Sequence, residues 1–176
     1  QPNANFNGAV TLSYGVSDGT DITSTSTTFN LTSVNDAPVA GSNSVSLANG
    51  TEDTAYTITA SQLLQRFSDV DGDSLSVVNL SSSNGSLTDN QNGTFTFQPS
   101  ANFNDAVSLS YGVSDGSDIM TTNTTFNIIA VNDAPIAGSN SVSLANGTED
   151  TAYTFTASQL LQGFSDVEGD SLSVVN

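Results

Sequence analysis

The residues best suited to chemistry are carboxylates that recur at short spacing. The densest group is Asp69-Val70-Asp71-Gly72-Asp73, which returns as Asp166-Val167-Glu168-Gly169-Asp170. At about 5 Å and an effective dielectric constant near 20, two neighbouring carboxylates repel each other by roughly 3 kcal/mol. A cation would relieve this repulsion, and ligands that are all oxygen favour calcium. The alternative is an acidic, solvated turn, for which Asp-Gly is a common sequence.

The composition excludes several other kinds of site. The chain has no His and no Cys, so the usual zinc ligands, a thiolate site and the commonest general base are missing. The pattern G-x-S-x-G occurs at 15–19 and at 112–116, but a nucleophile elbow needs a histidine partner. Paired carboxylates could also serve glycoside hydrolysis, which the composition does not exclude. However, every acidic cluster recurs in each copy of the sequence, whereas an enzyme site more often occurs once. We therefore expect that the chain is not an enzyme.

The charge balance restricts the partners of the chain. Its net charge is −17, with 18 acidic residues against a single basic one, Arg66. Such a chain is repelled by phosphate backbones and by anionic lipid surfaces. The sequence contains no stretch of about twenty apolar residues. It therefore predicts neither nucleic-acid binding nor membrane insertion.

An internal repeat organises the chain. Residues 1–79 align without gaps on residues 98–176, and the motif Val34-Asn35-Asp36-Ala37-Pro38 returns as Val131-Asn132-Asp133-Ala134-Pro135. Proline fixes its own φ and keeps the preceding residue out of the helical region, so each motif predicts an extended hinge. The chain then divides into the C-terminal half of a repeat (1–38), a complete repeat (39–135) and the N-terminal half of the next (136–176). Because it starts within this pattern, we expect a piece of a longer protein.

Alternation of apolar and polar residues predicts that the complete repeat consists of strands. The alternating runs lie at 56–59, 74–77, 95–97, 107–113 and 126–130, with turns at Asn49-Gly50, Asn84-Gly85 and Asn92-Gly93. The only helical pattern covers residues 61–65. About seven short strands in a repeat of this length predict an all-β Greek-key sandwich.

The order of these motifs resembles cadherin repeats, and more closely the cadherin-like tandem repeats of bacterial RTX-type adhesins exported by type I secretion. Glu52 stands where such a repeat has its early calcium-binding Glu, and Asp69-Val70-Asp71 stands at the Asp-x-Asp loop. Asp115 matches the Asp before the last strand, and Val131–Pro135 matches the linker. The mid-repeat Asp-Arg-Glu is missing, and Asn102-Phe103-Asn104-Asp105 stands near its place, so the sequence leaves open whether Asn104 or Asp105 serves as the ligand there. The resemblance implies tandem cadherin/Ig-like sandwiches joined by short calcium-binding linkers.

The resemblance also implies a set of Ca²⁺ ligands at the two hinges. Asp69, Asp71 and Asp115 are expected to face the hinge at 34–38. Glu52 is expected to act at 131–135 with Asp133, Asp166 and Glu168. The full set of predicted ligands, with their copies in the repeat, is Asp18, Asn35, Asp36, Glu52, Asp53, Asp69, Asp71, Asp73, Asp115, Asn132, Asp133, Glu149, Asp166, Glu168 and Asp170.

Two functions fit these features. The preferred one is an extender repeat of a long secreted or cell-surface adhesin fibre, located outside a bacterial cell and stiffened by calcium. The alternative is a carbohydrate- or surface-binding β-sandwich, although the chain has no Trp to form a sugar platform. The expected partners are neighbouring identical repeats, arranged head to tail. The halves at 1–38 and 136–176 come from the same repeat, so they are expected to complement each other, either between molecules or within a longer fibre.

Overall fold

The structure, a computed structural model, describes residues 1–139 and 142–175. Within these ranges it contains thirteen strands and two short helices. In chain order they are β1 (Gly8–Ser17), β2 (Ile22–Leu31), β3 (Val39–Ala40), β4 (Gly50–Thr51), β5 (Tyr56–Thr59), α1 (Ala60–Leu64), β6 (Phe67–Ser68), β7 (Ser76–Ser82), β8 (Ser86–Asp89), β9 (Thr94–Gln98), β10 (Ala106–Ser114), β11 (Ile119–Ile129), β12 (Ile136–Ala137), α2 (Ala157–Leu160) and β13 (Phe164–Ser165).

The middle of the chain, residues 39–135, forms a β-sandwich. One sheet has the strand order β4-β11-β10-β7, and the facing sheet has the order β5-β9-β8. Neighbouring strands are antiparallel except β4, which pairs in parallel with the end of β11. The short strands β3 and β6 form a separate pair. The prediction of an all-β sandwich is therefore confirmed.

The alternating pattern of β10 explains how the sandwich is filled. Val107, Leu109 and Val113 are fully buried, while Ser108 and Ser110 on the other face of the strand are exposed. Full burial of one such side chain contributes about 1.5–3 kcal/mol. The buried core extends from Val45 to Ile128 and consists of Val45, Leu47, Ile58, Leu63, Phe95, Phe97, Val107, Leu109, Tyr111, Val113, Phe126 and Ile128. Among the described residues, none of the core lies in the flanking half-repeats.

Two of the three predicted turns in the repeat are found. Gly93 (φ +81°) lies in the β8–β9 hairpin, and Gly85 (φ +70°) lies in the connection from β7 to β8. The turn predicted at Asn49-Gly50 is wrong, because Gly50 begins β4 and pairs with Ile128. A Cβ at Gly50 would meet Ile128 Cδ1 at 2.9 Å. This glycine therefore permits close strand approach rather than a reversal of the chain.

The predicted helix and strand number need only small corrections. The helix α1 spans 60–64 rather than 61–65, because Thr59 and Gln62 form a capping box at its N-terminus. The complete repeat has nine strands instead of about seven. Three of the nine, β3, β4 and β6, have two residues each and are too short to show an alternating pattern.

The flanking segments form small sheets of their own. The strands β1 and β2 form an antiparallel hairpin with ten residue pairs, and β12 pairs with β13 over two residues. Their apolar side chains stay half exposed, for example Leu12 at 51% and Tyr153 at 44%. Neither described helix has the length and apolar composition that a bilayer span requires.

Candidate metal sites at the two joints

The most deeply buried carboxylate of the described chain belongs to Glu52, which is 1% exposed. Glu52 follows β4, and its N–H donates to the Ile129 carbonyl at 3.0 Å. This extension of the β4–β11 pairing carries its side chain to residues 131–135, here named joint B. There Glu52 Oε1 accepts from the N–H of Val131 at 2.6 Å, and Oε2 accepts from Asn104 Nδ2 at 3.1 Å.

Two further carboxylates meet Glu52 at joint B. One oxygen each of Glu52, Asp133 and Glu168 lies within 4.8 Å of the other two. The Asp133 N–H donates to Glu168 Oε2 at 3.1 Å. Asp166 Oδ1 in turn accepts from the N–H groups of Glu168 and Asp170, at 3.1 and 3.0 Å. The cluster thus brings together the middle repeat, the joint and the loop that follows β13.

The electrostatics of this cluster are unfavourable without a cation. Asp133 Oδ2 and Glu168 Oε1 are buried, and the structure gives them no hydrogen-bond partner. Leaving a buried polar atom without a hydrogen bond is unfavourable, and more so when the group is charged. Burial raises the pKa of Asp133, and the negative charges of Glu168, Asp53 and Glu52 raise it further. A bound cation would compensate all of these effects.

No basic side chain neutralises the carboxylates at joint B. Arg66 is the only Lys or Arg in the sequence. Its Nη2 donates to Thr122 Oγ1 at 2.9 Å, and its guanidinium lies 4.8 Å from the centre of the Phe67 ring. The joint carboxylates therefore have no ion-pair partner from a Lys or Arg of this chain.

The first joint, residues 34–38 and here named joint A, has a related arrangement. The Asp36 N–H donates to Asp71 Oδ2 at 2.8 Å. Asp69 Oδ1 accepts from the N–H groups of Asp71 and Asp73, at 2.8 and 3.3 Å. One oxygen of each of these three Asp side chains in the 69–73 loop lies within 4.8 Å of the others, and Asp69 Oδ2 is buried without a partner. This loop is the second candidate cation site.

Joint A is also attached to the turn between β10 and β11. Asn35 Nδ2 donates to Asp115 Oδ2 at 3.0 Å and to Asp118 Oδ2 at 2.8 Å. Asp115 Oδ1 accepts from the N–H groups of Asp118 and Ser117, at 2.6 and 2.7 Å. These backbone bonds, and then the bond from Asn35, lower the pKa of Asp115.

The structure places Asp69, Asp71 and Asp115 at joint A and places Glu52 with Glu168 at joint B, on the sides that the sequence analysis assigned to them. That they bind an ion stays a prediction. Nine of the fifteen predicted ligands lie outside the two carboxylate clusters, among them Asp53, Asn132, Asp18 and Glu149. Asp53 Oδ1 accepts from the Asn102 N–H, Asn132 Nδ2 donates to the Asp133 carbonyl, Asp18 accepts within its own turn, and Glu149 is exposed.

Sequence reasoning missed one residue and left another open. Asp118 was not predicted, although it recurs with the repeat as Asp21. That recurrence beside an already chosen Asp was the available signal. Between Asn104 and Asp105, the structure selects Asn104 as the neighbour of Glu52, because Asp105 Oδ1 accepts from the N–H of Ala106.

Comparison with known proteins gives two kinds of result. The family model described as cadherin-like domain matches residues 34–129 and again residues 131–176. No curated protein matches the sequence. The division into domains at residues 38 and 135 stays a prediction, since these matches do not fix it.

Two solved structures are similar to this chain: the endo-fucoidan hydrolase MfFcnA4 from glycoside hydrolase family 107, and a variant of the same enzyme. They are 23% and 22% identical, with a TM-score of 0.42 in both cases. Each match covers 74% of this chain and 20% of the hydrolase chain, so this chain spans about a fifth of their length. A similarity this low assigns no activity to the present chain.

Proposed function

Because the chain belongs to the cadherin-like domain family, we propose that it is a calcium-stiffened spacer in an extracellular adhesion protein. Its β-sandwiches act as rigid beads, and Ca²⁺ at each joint fixes the angle between them. The finer assignment that we propose is an extender of an RTX-type adhesin on a bacterial surface, where such fibres support attachment and biofilm formation.

The observation that carries the proposal is the group formed by Glu52, Asp133 and Glu168. Its members approach within 4.8 Å, and two of its buried oxygens have no partner. All its donors are oxygen atoms, which suits Ca²⁺ better than a transition metal. The residues present therefore fit the ion that the family implies.

The position of this group supports a mechanical role. Glu52 belongs to the middle repeat, Asp133 to joint B and Glu168 to the segment beyond it. Without metal, the three negative charges repel one another, which favours opening of the joint. A Ca²⁺ held by these residues replaces the repulsion with attraction and links the segments before and after the joint.

At joint A, Asp69, Asp71 and Asp73 would hold an ion. Extracellular calcium modules bind with dissociation constants of about 10⁻⁴–10⁻³ M. Such sites are filled only where free calcium is high, in keeping with an extracellular location. We also propose that the chain has no catalytic activity, because its carboxylate clusters recur at each joint and its sequence has no His or Cys.

The test is a calcium titration of the Glu52→Gln variant, which keeps the shape of the side chain and removes its charge. At 100 times the dissociation constant, one site stabilises the fold by about 2.7 kcal/mol. We expect the wild-type chain to gain this stabilisation and to lose it in chelator. The variant should lose the part that comes from joint B. Calorimetry measures binding, and thermal unfolding with and without chelator measures stability.

The matched control is Asp89→Asn, which removes one charge from the exposed end of β8, outside both joints. It should bind calcium as the wild-type chain does. Small-angle scattering adds the mechanical readout, because chelation should make the chain more flexible. Unchanged melting curves and scattering in chelator would show that calcium does not stiffen these joints.

A further inference from the structure

The two flanking half-repeats expose surfaces that the middle repeat covers. The tail hairpin, β1 and β2, corresponds to β10 and β11 at a distance of 97 residues. The head segment, residues 136–139 and 142–175, corresponds to the opening of the middle repeat. Residues 136–176 differ from residues 39–79 at four positions, Val39/Ile136, Ile58/Phe155, Arg66/Gly163 and Asp71/Glu168. The chain therefore carries a second copy of the segment that covers β10 and β11.

The tail hairpin already has the shape of its buried counterpart. Tyr14 lies opposite Thr25, as Tyr111 lies opposite Thr122. Leu12 is 51% exposed, whereas its counterpart Leu109 is fully buried. The inward-facing residues are therefore in place, but nothing in the described chain covers them.

A pocket at joint A marks where the cover would lie. It is lined by Asn5, Asn7, Val34, Asp36 and Asp71, together with their neighbours. The counterparts of these five residues are Asn102, Asn104, Val131, Asp133 and Glu168. In the middle repeat, that set surrounds the Glu52–Asp53 pair, with two of its members donating to Glu52. By this correspondence, the pocket at joint A would accommodate a side chain equivalent to Glu52.

The head segment has an apolar pocket. Leu160, Leu161, Phe164, Leu172 and Val174 line it next to joint B. In the middle repeat, the counterparts of Leu160 and Phe164 receive Tyr111. Its hydroxyl donates to the Leu63 carbonyl at 3.0 Å, and its ring packs edge-on to Phe67 at 6.5 Å. A tyrosine equivalent to Tyr111 would fill this pocket.

For the 176-residue chain in solution, we infer that the head segment of one copy docks on the tail hairpin of a second copy. Tyr14 enters the apolar pocket of the head segment. Glu149 enters the pocket at joint A, accepts from the N–H of Val34 and from Asn7, and completes a cation site with Asp36 and Asp71. This last element rests on the proposed function, because it assumes that the joints bind Ca²⁺.

The contact joins different surfaces of the two copies, so it leaves a free head segment and a free tail hairpin at the ends of every complex. Such heterologous contacts propagate into filaments unless they close into a ring. The rebuilt unit lacks the counterpart of residues 80–97, which supply β8 and nearly all of β9, including the buried Phe95 and Phe97. Association is therefore weaker than folding of an intact repeat and should reverse on dilution.

The test uses sedimentation of the full chain and two blocking variants. Leu12→Asp places a charge on the tail hairpin, and Phe155→Asp places one on the head segment. Both side chains are about half exposed in the single chain, so the middle repeat should stay folded, which its melting curve verifies. The wild-type chain should grow beyond dimers as its concentration rises, while each variant alone should stay monomeric. An equimolar mixture of the two variants should stop at the dimer.

Self-association of either variant alone, or absence of a dimer in the mixture, would overturn the inference. Glu149→Gln separates the inference from the proposed function. At a calcium concentration about ten times the dissociation constant, it should weaken association about tenfold. It should leave calcium binding at joint B intact, since the carboxylates clustered there are those of Glu52, Asp133 and Glu168. If joint B binds no calcium, the mixture experiment in chelator still decides whether the two surfaces dock.

Discussion

The hairpins β1–β2 and β10–β11 have nearly the same sequence and the same register, yet only the second is buried. Val16 is 59% exposed, while its counterpart Val113 is fully buried. Pairing within each hairpin needs only the two strands and their turn. In each turn the Asp, Asp18 or Asp115, accepts from the backbone N–H groups two and three residues further on. Burial needs residues that are distant in the sequence. Local residues therefore determine the hairpin, and the opening of the repeat determines the core.

Residues 39–79 of the middle repeat and their copy in the head segment show the same difference between local and distant contacts. Residues 56–59 form β5 because β9 pairs with them, whereas residues 153–156 form no strand. The helix cap is present in both copies, since Thr156 and Gln159 repeat the capping box of Thr59 and Gln62. Structure whose partners lie within the head segment is retained, including the helix cap and the β12–β13 pair, while the counterpart of β5, which would need a partner strand like β9, is absent.

The largest expected effect comes from the same substitution in the two hairpins. Leu109→Ala removes a fully buried side chain and should lower the free energy of unfolding by about 2–5 kcal/mol. Leu12→Ala removes its half-exposed counterpart and should change it by less than about 0.5 kcal/mol. Denaturant unfolding of dilute chain in chelator measures both. Equal losses would mean that the tail hairpin is packed as firmly as the middle repeat.

Much of the fold could be predicted because the repeat shows its strands by alternation. The strand pattern of β10, for example, appears in the sequence as apolar residues at every second position. The two-residue strands could not be found in this way, because two residues show no period. Gly50 also misled the prediction: an Asn-Gly pair favours a turn, but here the glycine serves close contact with Ile128.

The candidate sites were predictable to a different extent. Acidic residues at each joint stand out in the sequence, since one Arg accompanies 18 carboxylates. Their grouping does not, because it depends on the β4–β11 pairing, which brings Glu52 next to Val131 across 79 positions. The bond from Asn35 to Asp118 likewise depends on where the β10–β11 turn lies in space.

A medium effect is expected from the two helix caps. Thr59→Ala removes the side chain that caps α1, whose Leu63 is fully buried, and should cost about 1 kcal/mol of stability. Thr156→Ala removes the same cap from α2, which buries no residue, so the main unfolding transition should hardly change. Thermal unfolding measures both, and Thr59→Ser serves as the control that keeps the cap. A larger loss for Thr156→Ala would show that α2 belongs to the cooperative unit.

The smallest effect concerns the turns of the two hairpins. Backbone N–H groups lower the pKa of both Asp18 and Asp115, but only Asp115 also accepts from Asn35. Asn35→Ala should therefore raise the pKa of Asp115 and leave that of Asp18 unchanged. Carboxyl NMR titration in chelator measures both values in one sample, with Asp18 as the internal reference.

The sign of the effect on stability follows from the same bonds. Because folding lowers the pKa of Asp115 below its ordinary value of 3.8, its carboxylate stabilises the fold above that pH. This contribution is lost as the pH falls through the lowered pKa. Asn35→Ala should shrink it, so the metal-free variant should differ most from the wild-type chain above pH 3.8 and converge with it in stronger acid. An Asp115 titration that is the same in both chains would mean that Asn35 does not hold this turn at joint A in solution.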